Sequence, residues 1–133
     1  MIKAKDLWKF LCNDMGVRFF SGVPSSHVNK LYKTMDSNIM FYIPAANERI
    51  ALGLVNGARL SGAQSGLLLD SASVRRLAFD IQDFNSLFDL PLLVVTDPCT
   101  DLSVCNLPIH YIDNTNYMEA PNTGVLVAKE GFK

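Results

Sequence analysis

Gly66-Leu67-Leu68-Leu69 is the stretch that decides the fold. Three consecutive leucines leave a strand with no polar face, so it must be covered on both sides. That is the setting of a central strand in a parallel sheet, not of a sheet with one wet face. Pro91-Leu92-Leu93-Val94-Val95 repeats the pattern further along. The segment between them, from about Ser73 to Phe88, has helical length and spacing. Strand, helix and strand in that order make a crossover unit.

Working outward, residues 3–15 set Leu7, Phe10, Leu11 and Met15 on one helical stripe that Gly16 stops. Val17-Arg18-Phe19-Phe20 predicts a short strand. It runs into the turn Ser21-Gly22-Val23-Pro24-Ser25-Ser26 and a helix to about Met35. Asn38–Ile43 predicts the next strand, and Asn47 caps a helix through about Leu60 that Gly62 ends. Ile109–Ile112 and Thr123–Ala128 predict two further strands beyond a polar loop. The expectation is a single domain over residues 1–133, an α/β fold with an open, mostly parallel, doubly wound sheet of about six strands and helices on both faces. Ligands of such sheets gather beyond the carboxyl ends of the strands. Two loops there carry unusual chemistry, Ser21–Ser26 and Pro44–Glu48.

Hydrophobic residues make up 49% of the chain and charged ones only 19%, an apolar balance that predicts cover by another polypeptide. A formal net charge of −1 removes the electrostatic case for nucleic acid or an anionic membrane. No apolar run approaches the roughly 18 residues of a membrane span. The start, MIKAKDLWKFLCND, reads as an amphipathic helix and not as a signal peptide. Cys12, Cys99 and Cys105 form no CxxC pair and no zinc spacing, as expected of reduced thiols in a cytoplasmic protein. Trp8 is expected in the core or an interface, and His110, in an apolar strand, in a hydrogen-bonded structural role.

Glu48 opens a helix amid Ala45, Ala46, Ile50, Ala51, Leu52 and Gly53. A carboxylate in a first turn is commonly there for the helix dipole, worth about 0.3–1 kcal/mol. Apolar neighbours favour a second role, because desolvation would raise its pKa toward the range where proton transfer works best.

The run FFSGVPSS (19–26), the segment AANERIALGLVNGARLSG (45–62), the lead into LFDLPLLVV (87–95) and the ending GVLVAKEGF (124–132) occur in one order across nearly the whole chain. Together they resemble the pyrimidine-binding domain of thiamine-diphosphate-dependent decarboxylases, in the group of phosphonopyruvate decarboxylase and sulfopyruvate decarboxylase alpha subunits. The resemblance implies that Glu48 is catalytic, hydrogen-bonding the N1′ nitrogen of the cofactor's aminopyrimidine and biasing its proton. It implies cofactor contacts by Gly22, Pro24, Asn47, Glu48 and Ser71, and substrate contacts by Ser25 and His27. It also implies decarboxylation of a small anionic 2-oxo acid.

The family's Gly-Asp-Gly segment and downstream Asn, which hold the diphosphate and Mg²⁺, do not occur here. A beta chain carrying them is therefore implied, in an α2β2 or larger assembly. Asp70-Ser71 stand where the family places Asn-Ser, but the glycines that follow are replaced and Arg75-Arg76 open the helix. The guanidinium of Arg75 suits a phosphonate, sulfonate or carboxylate; a partner contact or solvent exposure is the plainer role. Ser25 is equally a helix cap, and His27 equally an exposed or partner-facing residue. The lost glycines and a shortened C-terminal region leave a second reading open, a non-catalytic relative that binds a partner chain.

Overall fold

The computed structural model of the chain describes residues 1–85, 91–99, 102, 107–121 and 123–133, with the side chains of 79–85 outside that description. Helix α1 (Ala4–Lys9) continues into a π-helical turn, Phe10–Asp14. After it come β1 (Phe19–Gly22), α2 (Ser26–Tyr32), β2 (Phe41–Pro44), α3 (Glu48–Leu60), β3 (Ser65–Leu69), α4 (Ser71–Asn85), β4 (Leu92–Val95), β5 (Ile109–Ile112), a 3-10 turn (Tyr117–Glu119) and β6 (Gly124–Ala128). The expected helix end at Phe88, and Cys105, lie outside the described residues.

The six strands form one sheet in the order β2-β1-β3-β4-β6-β5, and every neighbouring pair is parallel. The expected open, doubly wound α/β fold is therefore the one observed. Burial follows position in the sheet. Every residue of the interior strands β3, β4 and β6 is buried, whereas the edge strand β2 is largely exposed and the edge strand β5 is mostly half-buried. Alternation along the strands sorts their side chains onto two faces. Phe20, Leu68, Val94 and Leu126 pack under α1 and α2, with Leu7, Trp8, Leu11, Val28 and Leu31. Leu67, Leu69, Leu93, Val95, Val125 and Val127 pack under α3 and α4, with Ala51, Leu52, Val55, Val74 and Leu77. Burial of such side chains stabilises by about 1.5–3 kcal/mol each. Two cores back to back make the slab.

Trp8 is a core residue, as expected: its ring meets Phe20 edge-on at 5.6 Å and its Nε1 donates to Thr34 Oγ1 at 2.6 Å. His110 is not in the expected setting. It lies on the edge strand β5 and its side chain is exposed. The glycines read as helix stops, Gly16 and Gly62, have φ of 71° and 98°, a left-handed conformation that costs glycine little. No helix among the described residues is long and apolar enough to cross a membrane.

Connections from the adjacent strands β1 and β3 leave on opposite faces, β1 into α2 under one core and β3 into α4 under the other. That divergence opens a crevice at the carboxyl ends of the two strands, the ligand position of this fold class.

Candidate functional site

β1 delivers Gly22 to the crevice. A Cβ on Gly22 would collide with the carbonyl oxygen of Leu68 on β3 and lie 3.3 Å from Tyr42 Oη, so close strand approach alone demands glycine here. Pro24 is exposed in the turn that follows. Ser25 caps α2, its Oγ accepting from the Val28 N–H at 3.2 Å. Asn47 caps α3 in the same manner, Oδ1 accepting from the Ile50 N–H at 3.0 Å. Both side chains thus have local tasks, and the helices they start would lose about 1 kcal/mol on exchange for alanine.

Glu48, the first residue of α3, meets α4. Its Oε1 accepts from Arg76 Nε at 2.9 Å and Nη2 at 2.7 Å, and Arg76 Nη2 also donates to Ser73 Oγ at 3.0 Å. The Glu48 side chain is only 16% exposed, that of Arg76 62%. Burial pushes the carboxyl up, but hydrogen bonds from Arg76, from its own backbone N–H and from Ser73, with the charge of Arg76, outweigh it and hold Glu48 below its ordinary value. The expected rise toward neutrality is therefore overturned. A cation supplied by α4 compensates the desolvation that the apolar neighbours of Glu48 suggest.

A consequence is testable. Exchanging Arg76→Gln removes the leading counterweight to burial, and the Glu48 carboxyl is expected to move upward in a side-chain NMR titration while the bonds from its backbone and Ser73 remain. A carboxyl depressed in the folded state stabilises fully above its unfolded value, and that contribution fades as pH falls through the lower folded value. Wild type should thus lose this stability below about pH 4.5, and R76Q should show a smaller component of the acid limb. With one partner so exposed, the pair is worth no more than about 1 kcal/mol. An unmoved titration would remove Arg76 as the cause.

Ser71 starts α4 under a clamp from the loop after β4. Its backbone N–H donates to Asp97 Oδ1 at 2.7 Å and its Oγ to Asp97 Oδ2 at 2.6 Å. Asp70 caps the same helix by accepting from the Ser73 N–H at 2.9 Å. The Ser71 proton is thus committed, and only its lone pairs remain for a ligand. Arg75 donates from Nη2 to Cys99 Sγ at 3.2 Å, toward the segment after β4.

The β1 turn, Asn47 with Glu48, and Ser71 follow the carboxyl ends of the adjacent strands β1, β2 and β3. His27 is exposed in the first turn of α2, the helix of the opposite face. Sequence reasoning missed two groups here, Arg76 as the partner of Glu48 and Asp97 as the clamp on Ser71. A third is Tyr42, stacked on Tyr32 at 4.9 Å, whose buried Oη has no hydrogen-bond partner among the described residues. Burial, with the nearby Tyr32, pushes its pKa up to about 12. No group of three or more His, Cys, Asp or Glu among the described residues is arranged to hold a metal ion.

No family model matches the chain. The chain is 29% identical over 91 residues to the sulfopyruvate decarboxylase subunit alpha of Methanocaldococcus jannaschii, an alignment that covers 67% of this chain and 53% of that protein. It thus spans about half the length of that relative.

Proposed function

We propose that the chain is the alpha subunit of a split thiamine-diphosphate-dependent decarboxylase acting on a small anionic 2-oxo acid of the sulfopyruvate or phosphonopyruvate type. The observation that carries this reading is Glu48, a mostly covered carboxylate on the first turn of α3, facing the same strand ends as the β1 turn. The similarity to a sulfopyruvate decarboxylase alpha subunit supports it.

The cofactor supplies an electron sink for the carbanion left by loss of carbon dioxide. The residues of this chain fit its pyrimidine end only. Glu48 would offer an acceptor oxygen to the ring, Gly22 and Pro24 would border it without a projecting polar side chain, and Ser71 Oγ would retain lone pairs for it. Glu48 would then hold or release the proton at the ring nitrogen. To do so it must exchange its bonds with Arg76 for a bond to the ring, and the high exposure of Arg76 leaves that side chain room to withdraw. The diphosphate and Mg²⁺ fall to a partner chain with a Gly-Asp-Gly segment and a downstream Asn.

An uncovered apolar face supports the need for a partner. Phe41 and Ile43 on the edge strand β2, and Ile50, Leu54 and Leu60 on α3, are exposed. Gly53 and Gly57 are exposed on the same helix, with nothing within 4 Å of a Cβ at either. Such a face lets another backbone come close. Gly53→Ala and Gly57→Ala should each stabilise the chain by about 0.5–1 kcal/mol on its own, since alanine is the better helix former. Each should weaken partner binding, readable by denaturation of the single chain and by titration of the pair.

A second reading, a non-catalytic partner-binding subunit, is favoured by one observation: the Glu48–Arg76 pair holds the carboxyl ionised. The test is to co-purify the chain with its partner and titrate thiamine diphosphate and magnesium, then add sulfopyruvate or phosphonopyruvate. Cofactor binding with release of carbon dioxide is the expected result. A stable complex that takes up no cofactor selects the second reading.

A further inference from the structure

A cleft of about 240 Å³ lies between α2 and the segment that follows β4, with His27, Lys30, Leu31, Thr96, Pro98 and Phe132 among its lining residues. It opens on the α1/α2 face of the sheet, whereas Glu48 and Arg76 belong to the helices of the other face. Thr96 directly follows β4 and by alternation shares the side of Val94, the face of this cleft. It is only 5% exposed, and its Oγ1 has no hydrogen-bond partner among the described residues. A buried hydroxyl left unpaired costs about 1–3 kcal/mol, so one at a cleft wall calls for a ligand atom or a water.

The charged groups at the rim point the same way. His27 and Lys30 are three residues apart on α2 and so share a side of the helix. Neither side chain has a hydrogen-bond or ion-pair partner among the described residues. The acid at the rim, Glu130, is already engaged by the amino group of Met1 at 3.1 Å. Leu31, Pro98 and Phe132 supply apolar wall. The volume of about 240 Å³ lies below the range usual for drug-sized ligands, as suits a compact one.

We propose that this cleft is a second small-molecule site that takes a compact organic anion, its acid group at Lys30 and His27, its apolar body on Leu31, Pro98 and Phe132, and a polar atom at Thr96 Oγ1. Of the residues that the resemblance implicates, the cleft takes in His27 and none of Glu48, Asn47 or Ser71, so the two sites are tested separately.

Benzoate and phenylphosphonate are suitable probes, with inorganic phosphate as the anion that lacks an apolar body. Titration calorimetry and amide NMR on the full chain, with its partner where the two co-purify, should give saturable binding of at least one organic anion and shifts at Lys30, Leu31 and Thr96. Lys30→Gln is expected to weaken that binding about tenfold. Thr96→Val, nearly isosteric and free of the stranded hydroxyl, should fold at least as well and still bind more weakly. Glu48→Gln should leave the affinity unchanged, so failure at this cleft and failure at the crevice give different results. Absence of saturable binding overturns the proposal. So do affinities that ignore both K30Q and T96V, phosphate binding as tightly as the organic anions, or a loss in E48Q equal to that in K30Q.

Discussion

Glu48→Gln is expected to lower turnover of the assembled complex by about 10²–10⁴-fold, the usual contribution of a positioned proton-transfer group. Glutamine keeps the length and shape of the side chain but can neither take up nor release the proton. The complex should still form and bind thiamine diphosphate, so the loss belongs to kcat and not to assembly. Loss of the charge partner of Arg76 should cost the fold no more than about 1 kcal/mol, because that guanidinium is largely solvated.

Arg76→Gln is the informative companion. If the ion pair is a resting contact that the cofactor displaces, R76Q keeps its activity and shifts the pH profile with the freed carboxyl. In a non-catalytic subunit the pair is structural, and neither exchange changes any reaction. Equal turnover in E48Q and the parent, with cofactor bound, would end the catalytic assignment.

The sheet was legible where a strand is covered twice. β3 and β4 carry apolar side chains on both faces, and their expected positions agree with the observed ones to within a residue. β1 and β2 were displaced, expected from Val17 and Asn38 and found from Phe19 and Phe41. Their ladder recruits residues that read as turn formers: Ser21 pairs with Ile43 and Gly22 with Pro44. Pro44 is tolerated because β2 is an edge strand, where a missing N–H on the open side costs nothing.

The caps at Ser25 and Asn47 were legible because a cap and the N–H that it satisfies lie within one turn. The Glu48–Arg76 pair joins residues 28 positions apart, and the Ser71–Asp97 clamp joins residues 26 apart. Both depend on how α3 and α4 pack and on where β4 ends, quantities set by the whole slab. Spacing therefore found the carboxylate but not the cation that fixes its ionisation. The same limit applies to His27, which lines the cleft beside α2. Proximity in sequence to the β1 turn suggested a shared site, while the handedness of the crossover carries α2 to the other face.

Gly22→Ala should be the most damaging single methyl in the chain. Glycine is not needed there for backbone freedom, since Gly22 is absent from the positive-φ residues. It is needed for space: a Cβ would collide with the Leu68 carbonyl oxygen, sit 3.0 Å from the Leu68 carbonyl carbon and 3.3 Å from Tyr42 Oη. The obstacle is backbone and cannot rotate away. Leu68 is pinned between Gly22 on one side and Val94 on the other, with its own side chain fully buried. Relief requires β1 and β3 to separate at the mouth of the crevice, which opens the ladder and moves the turn that carries Pro24 and Ser25. Overpacking of this kind costs about 1–3 kcal/mol and more where backbone must shift. The expected result is a loss of about 3 kcal/mol, read as a lower urea midpoint at unchanged slope. Gly53→Ala, a methyl added in open space on α3, is the control and should move the midpoint the other way. A Gly22→Ala chain as stable as the parent would mean that the strands already stand further apart at this end, and the crevice with them.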